Sequence, residues 1–238
     1  MHNVVSNLWA VVILLLGPIV GLASRRKFQG AAPRRRVLYL SNAANLLVLG
    51  GITATIDFTH GRKALGLMTS GVSARAILTW SVCFGVVCVM VAVMVLVIRA
   101  WLRRPPNESI TALLPRSTGE KIAFLILCLL IALVEEFIYR GFVLTLLREW
   151  LASGIFAIGL VSLSFALMHG LQDLIAIISA FVQGILLGLP VLILHSLVPS
   201  IAAHFAVDVF AGFCMLTLLS RLGALTETED LGAVIAKT

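Results

Sequence analysis

Charge is the scarcest commodity in this chain. Of 238 residues, 12% are Asp, Glu, Lys or Arg and 60% are hydrophobic, with a mean hydropathy of +1.07. A soluble domain of this length needs a polar surface, and there is too little charge here to make one, so the class is integral membrane protein. Cysteine is sparse as well. Cys83, Cys88, Cys128 and Cys214 lie in apolar stretches, and none forms a C-x-x-C pair. That excludes a zinc ribbon or a disulfide framework and makes them packed small hydrophobes. H-E-x-x-H is absent. So are an internal repeat, a heptad seam and a low-complexity tract. No basic n-region or small-residue cleavage site accompanies Leu8–Ala23, which reads as a retained span.

What charge there is sits in clusters. The 18 basic residues outnumber the 11 acidic ones, for a formal +7. Beside apolar spans such clusters set topology and meet anionic lipid, so no nucleic-acid partner is expected. Spans of about 20 apolar residues fall at Val5–Ala23, Val37–Ile56, Ala74–Ala100, Glu120–Leu147, Ser153–His169, Leu174–Leu194 and Val198–Leu219. Asp57–Ser73, with His60, Arg62 and Lys63, reads as an interfacial segment. Arg103-Arg104-Pro105-Pro106-Asn107 breaks the helix before it, and Pro190 and Pro199 mark a kink or a tight turn. Arg25–Arg36 and Arg99–Lys121 carry six and five basic residues. A seven-span count puts both on one side, assigned to the cytoplasm. The chain divides into 1–114 (N-terminal spans and basic connections), 115–219 (a core) and 220–238 (a short soluble tail).

Against this background one segment stands out. Val134–Gly141 reads V-E-E-F-I-Y-R-G within an apolar run. Each intramembrane charge costs roughly 2.5–3.5 kcal/mol at a helix centre, so three of them call for partners and a chemical purpose. Glu136 and Arg140 are spaced i,i+4 and can pair. Glu135 is rotated about 100° from Glu136 and faces elsewhere. With one carboxylate neutralised by Arg140, the other is available as a general base. The same spacing also suits a charge network that only fixes helix packing.

Two further sites add histidine. In S-F-A-L-M-H-G, Phe165 and His169 share a helical face, with Gly170 placed to end the helix. In H-F-A-V-D, His204 and Asp208 do the same. Together Glu135, Glu136, Arg140, His169, His204 and Asp208 supply a base, its orienting partner, and groups able to bind an oxyanion or a metal. His195 and His60 read as interface residues, and His2 as uninformative. Gly184 and Gly188 form a G-x-x-x-G spacing that lets helices approach closely.

The order and type of these motifs resemble the CAAX protease and bacteriocin-processing family of intramembrane proteases (CPBP, or Abi). Its signatures are E-E-x-x-x-R, F-x-x-x-H and H-x-x-x-N/D. They correspond here to Glu135-Glu136-…-Arg140, Phe165-…-His169 and His204-…-Asp208, over about Pro115–Phe213. The resemblance implies an all-α polytopic transmembrane bundle of about 7–8 helices around an intramembrane polar cavity. It implies endopeptidase chemistry, with Glu135 and His169 activating water and His204 and Asp208 stabilising the oxyanion. The prenyl-protein branch carries Asn where this chain has Asp208. An ionised aspartate would repel an oxyanion, so Asp208 is read as holding His204 in its donor form.

The expected activity is therefore cleavage of a peptide bond in a membrane-associated or lipidated peptide substrate, in the lipid bilayer, at the plasma (inner) membrane of a bacterium. A zinc site built from Glu135, His169 and His204 stays open, and the metal-free glutamate mechanism is preferred. Two other classes stay open too: a non-catalytic membrane scaffold or immunity protein, and a proton-coupled transporter, the latter weakened by the lack of two similar halves.

Overall fold

A computed structural model describes residues 4–24, 35–60, 64, 67, 71–104, 113–169 and 173–222. Among them the protein is all-helical. Seven helices follow in order: α1 (Val4–Ser24), α2 (Arg35–Thr59), α3 (Ala74–Trp101), α4 (Thr118–Leu151), α5 (Gly154–Met168), α6 (Leu174–Leu194) and α7 (Val198–Arg221). Five of them, α2, α3, α4, α6 and α7, are long and apolar enough to cross a membrane. The protein is an integral membrane protein.

Seven spans were expected, and α5 is a shorter apolar helix instead. At 1.5 Å per residue, the 15-residue α5 reaches only about 22 Å, short of a hydrocarbon core of about 30 Å. Its ends are set by Ser153, whose hydroxyl caps the Phe156 N–H, and by His169 at the C-cap. Arg25, Arg26, Lys27, Arg34, Arg62, Lys63, Pro105, Pro106, Asn107, Gly170, His2 and the tail beyond Leu222 lie outside the described residues. Pro190 sits within α6, and Pro199 stands in the first turn of α7, where a missing N–H costs nothing.

The start of α4 is a capping box. Ser117 Oγ accepts from the Glu120 N–H, and Glu120 Oε2 accepts from the Ser117 N–H. After Glu136 the helix widens into a π-helical stretch, Phe137–Val143, all seven residues of which are buried. It closes with the Leu144 N–H donating to the Tyr139 carbonyl, an i→i−5 bond. Phe137, Tyr139, Phe142 and Val143 thereby join Val161 and Phe165 of α5 and Val191 of α6 in the main apolar core. Such π segments are frequent at functional sites.

Around this centre α3 packs along α7 and α6, α5 lies against α6 and α1, and α4 sits between α2 and α7. The G-x-x-x-G spacing acts at the α5–α6 contact. A Cβ at Gly184 would lie 2.9 Å from the Cβ of Ser162, and one at Gly188 would lie 2.9 Å from Ile158. Polar side chains find partners on neighbouring elements: Trp9 donates to Thr53, Ser164 to the Leu14 carbonyl, Ser200 to the Leu187 carbonyl and Tyr39 to the Leu113 carbonyl. Groups in hydrocarbon need exactly such internal partners, since no water is at hand. The four cysteines are free. Cys88 and Cys128 are buried as packing residues, whereas Cys83 and Cys214 are exposed on apolar helices.

Candidate active site

Three helices bring the polar residues together. Glu136 sits at the α-to-π junction of α4 with Arg140 one turn on, and both are fully buried. Arg140 Nη1 donates to Glu136 Oε1 at 2.9 Å, the i,i+4 pair expected from the spacing. The guanidinium also donates to the Gly184 carbonyl of α6 at 3.3 Å and lies 4.5 Å above the Phe165 ring of α5. Arg140 therefore ties α4 to both neighbours. The carbonyl is within reach because Gly184 has no side chain to hold α6 away from α5.

His204, in α7, connects to this pair. Its Nδ1 donates to Glu136 Oε1 at 2.8 Å. Its Nε2 stands between two further carboxylates, 3.9 Å from Glu135 Oε2 and 3.7 Å from Asp208 Oδ2. Both separations exceed a hydrogen bond. Glu135 Oε2 and Asp208 Oδ2 are buried and make no hydrogen bond among the described residues. Buried carboxylate oxygens without partners call for a functional explanation.

His169 ends α5. Its Nδ1 lies 2.8 Å from the Phe165 carbonyl. A carbonyl only accepts, so Nδ1 carries the proton and Nε2 keeps its lone pair. The Phe165 ring separates the two imidazoles, with ring centroids 4.6 Å from His169 and 6.0 Å from His204. It spaces them as a wall, an arrangement foreshadowed by the F-x-x-x-H spacing.

A cavity of about 210 Å³ opens among α3, α5, α6 and α7. His169, His204 and Asp208 line it, with Gln183, Ser179 and Arg99 further along. Glu135 is not among its lining residues and reaches His204 instead.

Two partnerships escape a reading of the sequence. Asp208 was expected to hold His204 and lies within ion-pair distance of it at 3.7 Å, while the short hydrogen bond of the imidazole is donated to Glu136, 68 residues away. Arg99 was counted only as a basic loop residue, yet it is buried and lines the cavity. No local pattern marks either contact. As for a metal, no group of three or more His, Cys, Asp or Glu among the described residues is placed to hold an ion. Glu135, His169 and His204 do not make such a set, although the engaged Nδ1 atoms leave Nε2 of each imidazole as the nitrogen a metal would take.

Residues 118–210 match the family described as Type II CAAX prenyl endopeptidase Rce1-like. The matched stretch contains all six polar residues of the site. No curated protein and no solved structure matches the chain.

Proposed function

From a chain that carries a CAAX-endopeptidase-type, Rce1-like domain over residues 118–210, we propose an intramembrane endopeptidase acting on a membrane-associated or lipidated peptide. One observation supports the reading: His204 is fixed through Nδ1 by Glu136, while its Nε2 stands between two carboxylate oxygens at 3.9 and 3.7 Å, neither of them hydrogen-bonded to it. An imidazole hydrogen-bonded at one nitrogen, with no hydrogen bond at the other, is set for chemistry.

In this mechanism water enters beside Glu135, and the carboxylate takes its proton as the oxygen attacks the scissile carbonyl. The Nε2–H of His204 donates to the developing oxyanion. The C–N bond then breaks, and the proton on Glu135 passes to the leaving amine, giving a carboxylate and an amine. His169 presents its Nε2 lone pair to the cavity and orients water there. Asp208 holds the charge of a protonated His204, and Glu136 with Arg140 positions the imidazole. No step here is routed through a metal.

The test is cleavage of a quenched peptide library by purified protein in detergent. Turnover that disappears in Glu135→Ala with thermal stability retained supports the reading. Absence of cleavage, with Glu135→Ala and Glu136→Ala both simply unfolding the protein, would favour a scaffold.

A further inference from the structure

The face of α2 turned away from the bundle carries a carboxamide at mid-membrane depth. On its inner side α2 rests against α4 and α1. The Tyr39 ring lies 6.0 Å from that of Phe124, a Cβ at Gly50 would stand 2.9 Å from Val134, and Thr53 accepts from Trp9. At about 100° per residue, nine steps put Val48 opposite Tyr39, with Ser41, Ala44, Asn45, Ile52 and Thr55 within about 60° of it. All six are exposed. Asn45 is ten residues beyond Arg35, which opens the helix. That is about 15 Å at 1.5 Å per residue, half of a hydrocarbon core of about 30 Å. Asn42 also points outward, but about 10 Å from Arg35, a turn nearer the headgroups.

The hydroxyls of this face are satisfied within α2 itself. Ser41 Oγ donates to the Leu38 carbonyl at 3.0 Å, and Thr55 Oγ1 to the Gly51 carbonyl at 2.8 Å. The Asn45 carboxamide, with two N–H donors and an acceptor oxygen, makes no hydrogen bond among the described residues. Hydrocarbon holds no water to take its place, and acyl chains have no polar groups to offer. A second copy of the chain does. Copies in one membrane share a topology, so a twofold axis along the membrane normal brings the same residue to the same depth on both helices. The carboxamide is self-complementary, each N–H donating to the oxygen of the other. Val48 and Ile52 add packing surface, and the small Ser41 and Ala44 let the backbones approach.

We propose that the outer face of α2 is a homodimer interface in the bilayer, in which Asn45 of one copy hydrogen-bonds to Asn45 of the other. The interface lies across α2 from the catalytic cluster, so it forms with or without substrate and independently of cleavage.

Energy transfer between copies tests this. Full-length chains carrying a donor or an acceptor fluorophore on an N-terminal tag are reconstituted together in phosphatidylcholine vesicles, and transfer is followed as lipid is added. The parent should show a dimer that dissociates on dilution. Asn45→Leu should weaken it about three- to thirty-fold, the range for interhelical hydrogen bonds, with the melting temperature in detergent held. Asn45→Gln should keep most of the association. Val48→Trp, which puts bulk in the middle of the face, should weaken it as well. Leu129→Trp, on an exposed surface of α4, should leave it as it is. Transfer in the parent no greater than random encounter gives overturns the proposal. So does a dimer that is equally tight in folded Asn45→Leu protein, or one that Leu129→Trp weakens as much as Val48→Trp. Should Asn45→Leu not fold, undiminished association in Val48→Trp overturns it. Loss of association in a chain ending at Leu222 would assign the contact to residues 223–238, which overturns it too.

Discussion

His204 of α7 donates through Nδ1 to Glu136 of α4 at 2.8 Å, on the same oxygen that accepts the Arg140 guanidinium at 2.9 Å. One carboxylate oxygen thus joins a structural cation to the imidazole of the site. The doublet of glutamates divides accordingly: Glu136 accepts from both Arg140 and His204 through Oε1, whereas Glu135 lies 3.9 Å from His204 Nε2, beyond a hydrogen bond.

That division predicts opposite phenotypes for neighbouring residues. Glu136→Ala leaves Arg140 buried without its anion, and breaking such a pair costs about 3–5 kcal/mol. The melting temperature in detergent should fall sharply. Glu135→Ala removes no hydrogen bond seen in the fold, so melting should stay close to the parent while cleavage falls about a hundred- to ten-thousand-fold, the range for a lost general base. Matching losses of stability in both variants would contradict the division.

Asp208 should matter less than its position implies. Its Oδ2 is 3.7 Å from His204 Nε2, while Glu136 already fixes the ring from the other side. Asp208→Asn keeps the shape and an acceptor oxygen. Its cleavage rate should remain within about tenfold of the parent, about 1.4 kcal/mol of barrier. A loss as deep as that of Glu135→Ala would make Asp208 an essential charge.

How much of this was legible in the sequence follows from the range of each interaction. Glu136–Arg140 and His204–Asp208 are one helical turn apart, so periodicity alone pairs them. The α5–α6 approach was legible from two glycines four apart. Glu136–His204 and Arg99–Asp173 are separated by 68 and 74 positions, and they depend on how helices cross, which no local pattern encodes. The π-helical turn has no marker in F-I-Y-R-G-F-V, because the widening is imposed by packing on α5 and α6. The shortness of α5 was half visible: its boundaries were placed within a residue or two, but apolar content was taken as proof of a full span.

Packing at Gly184 can be tested against an internal control. A methyl there would meet Ser162 Cβ at 2.9 Å and Ser162 Cα at 3.1 Å, and the second of these is backbone that cannot swing away. Gly184→Ala should therefore destabilise by about 1–3 kcal/mol, as overpacking does, and should disturb the carbonyl that Arg140 uses. Gly51 of α2 has nothing within 4 Å of the same methyl. Gly51→Ala should hold or raise the melting temperature, since alanine is the better helix former by about 1 kcal/mol.

Metal dependence is open to a direct measurement. With no three-ligand group among the described residues, cleavage should persist after dialysis against EDTA, and elemental analysis of active protein should give zinc well below one per chain. Activity lost to the chelator and restored by stoichiometric zinc would require the ligands to regroup.

The Arg99–Asp173 pair gives the bundle a pH dependence whose sign can be worked out. Burial disfavours the Asp173 carboxylate, but the Arg99 hydrogen bonds and the Ala176 N–H outweigh it and hold its proton affinity below the ordinary aspartate value. A group depressed in the folded state stabilises above its unfolded pKa of about 3.9, and that stabilisation drains away as pH falls through the lower folded value. Asp173→Asn has nothing to protonate there. Melting temperatures of parent and variant should therefore differ and hold their separation from neutral pH down to about 5, then converge as the pH falls below the unfolded value of about 3.9. Every other carboxylate titrates in both proteins, so their contributions cancel in the difference. Two curves that stay parallel to the acid limit would mean that Asp173 gives up no charge-dependent stability, and that the fork of Arg99 is held by something else.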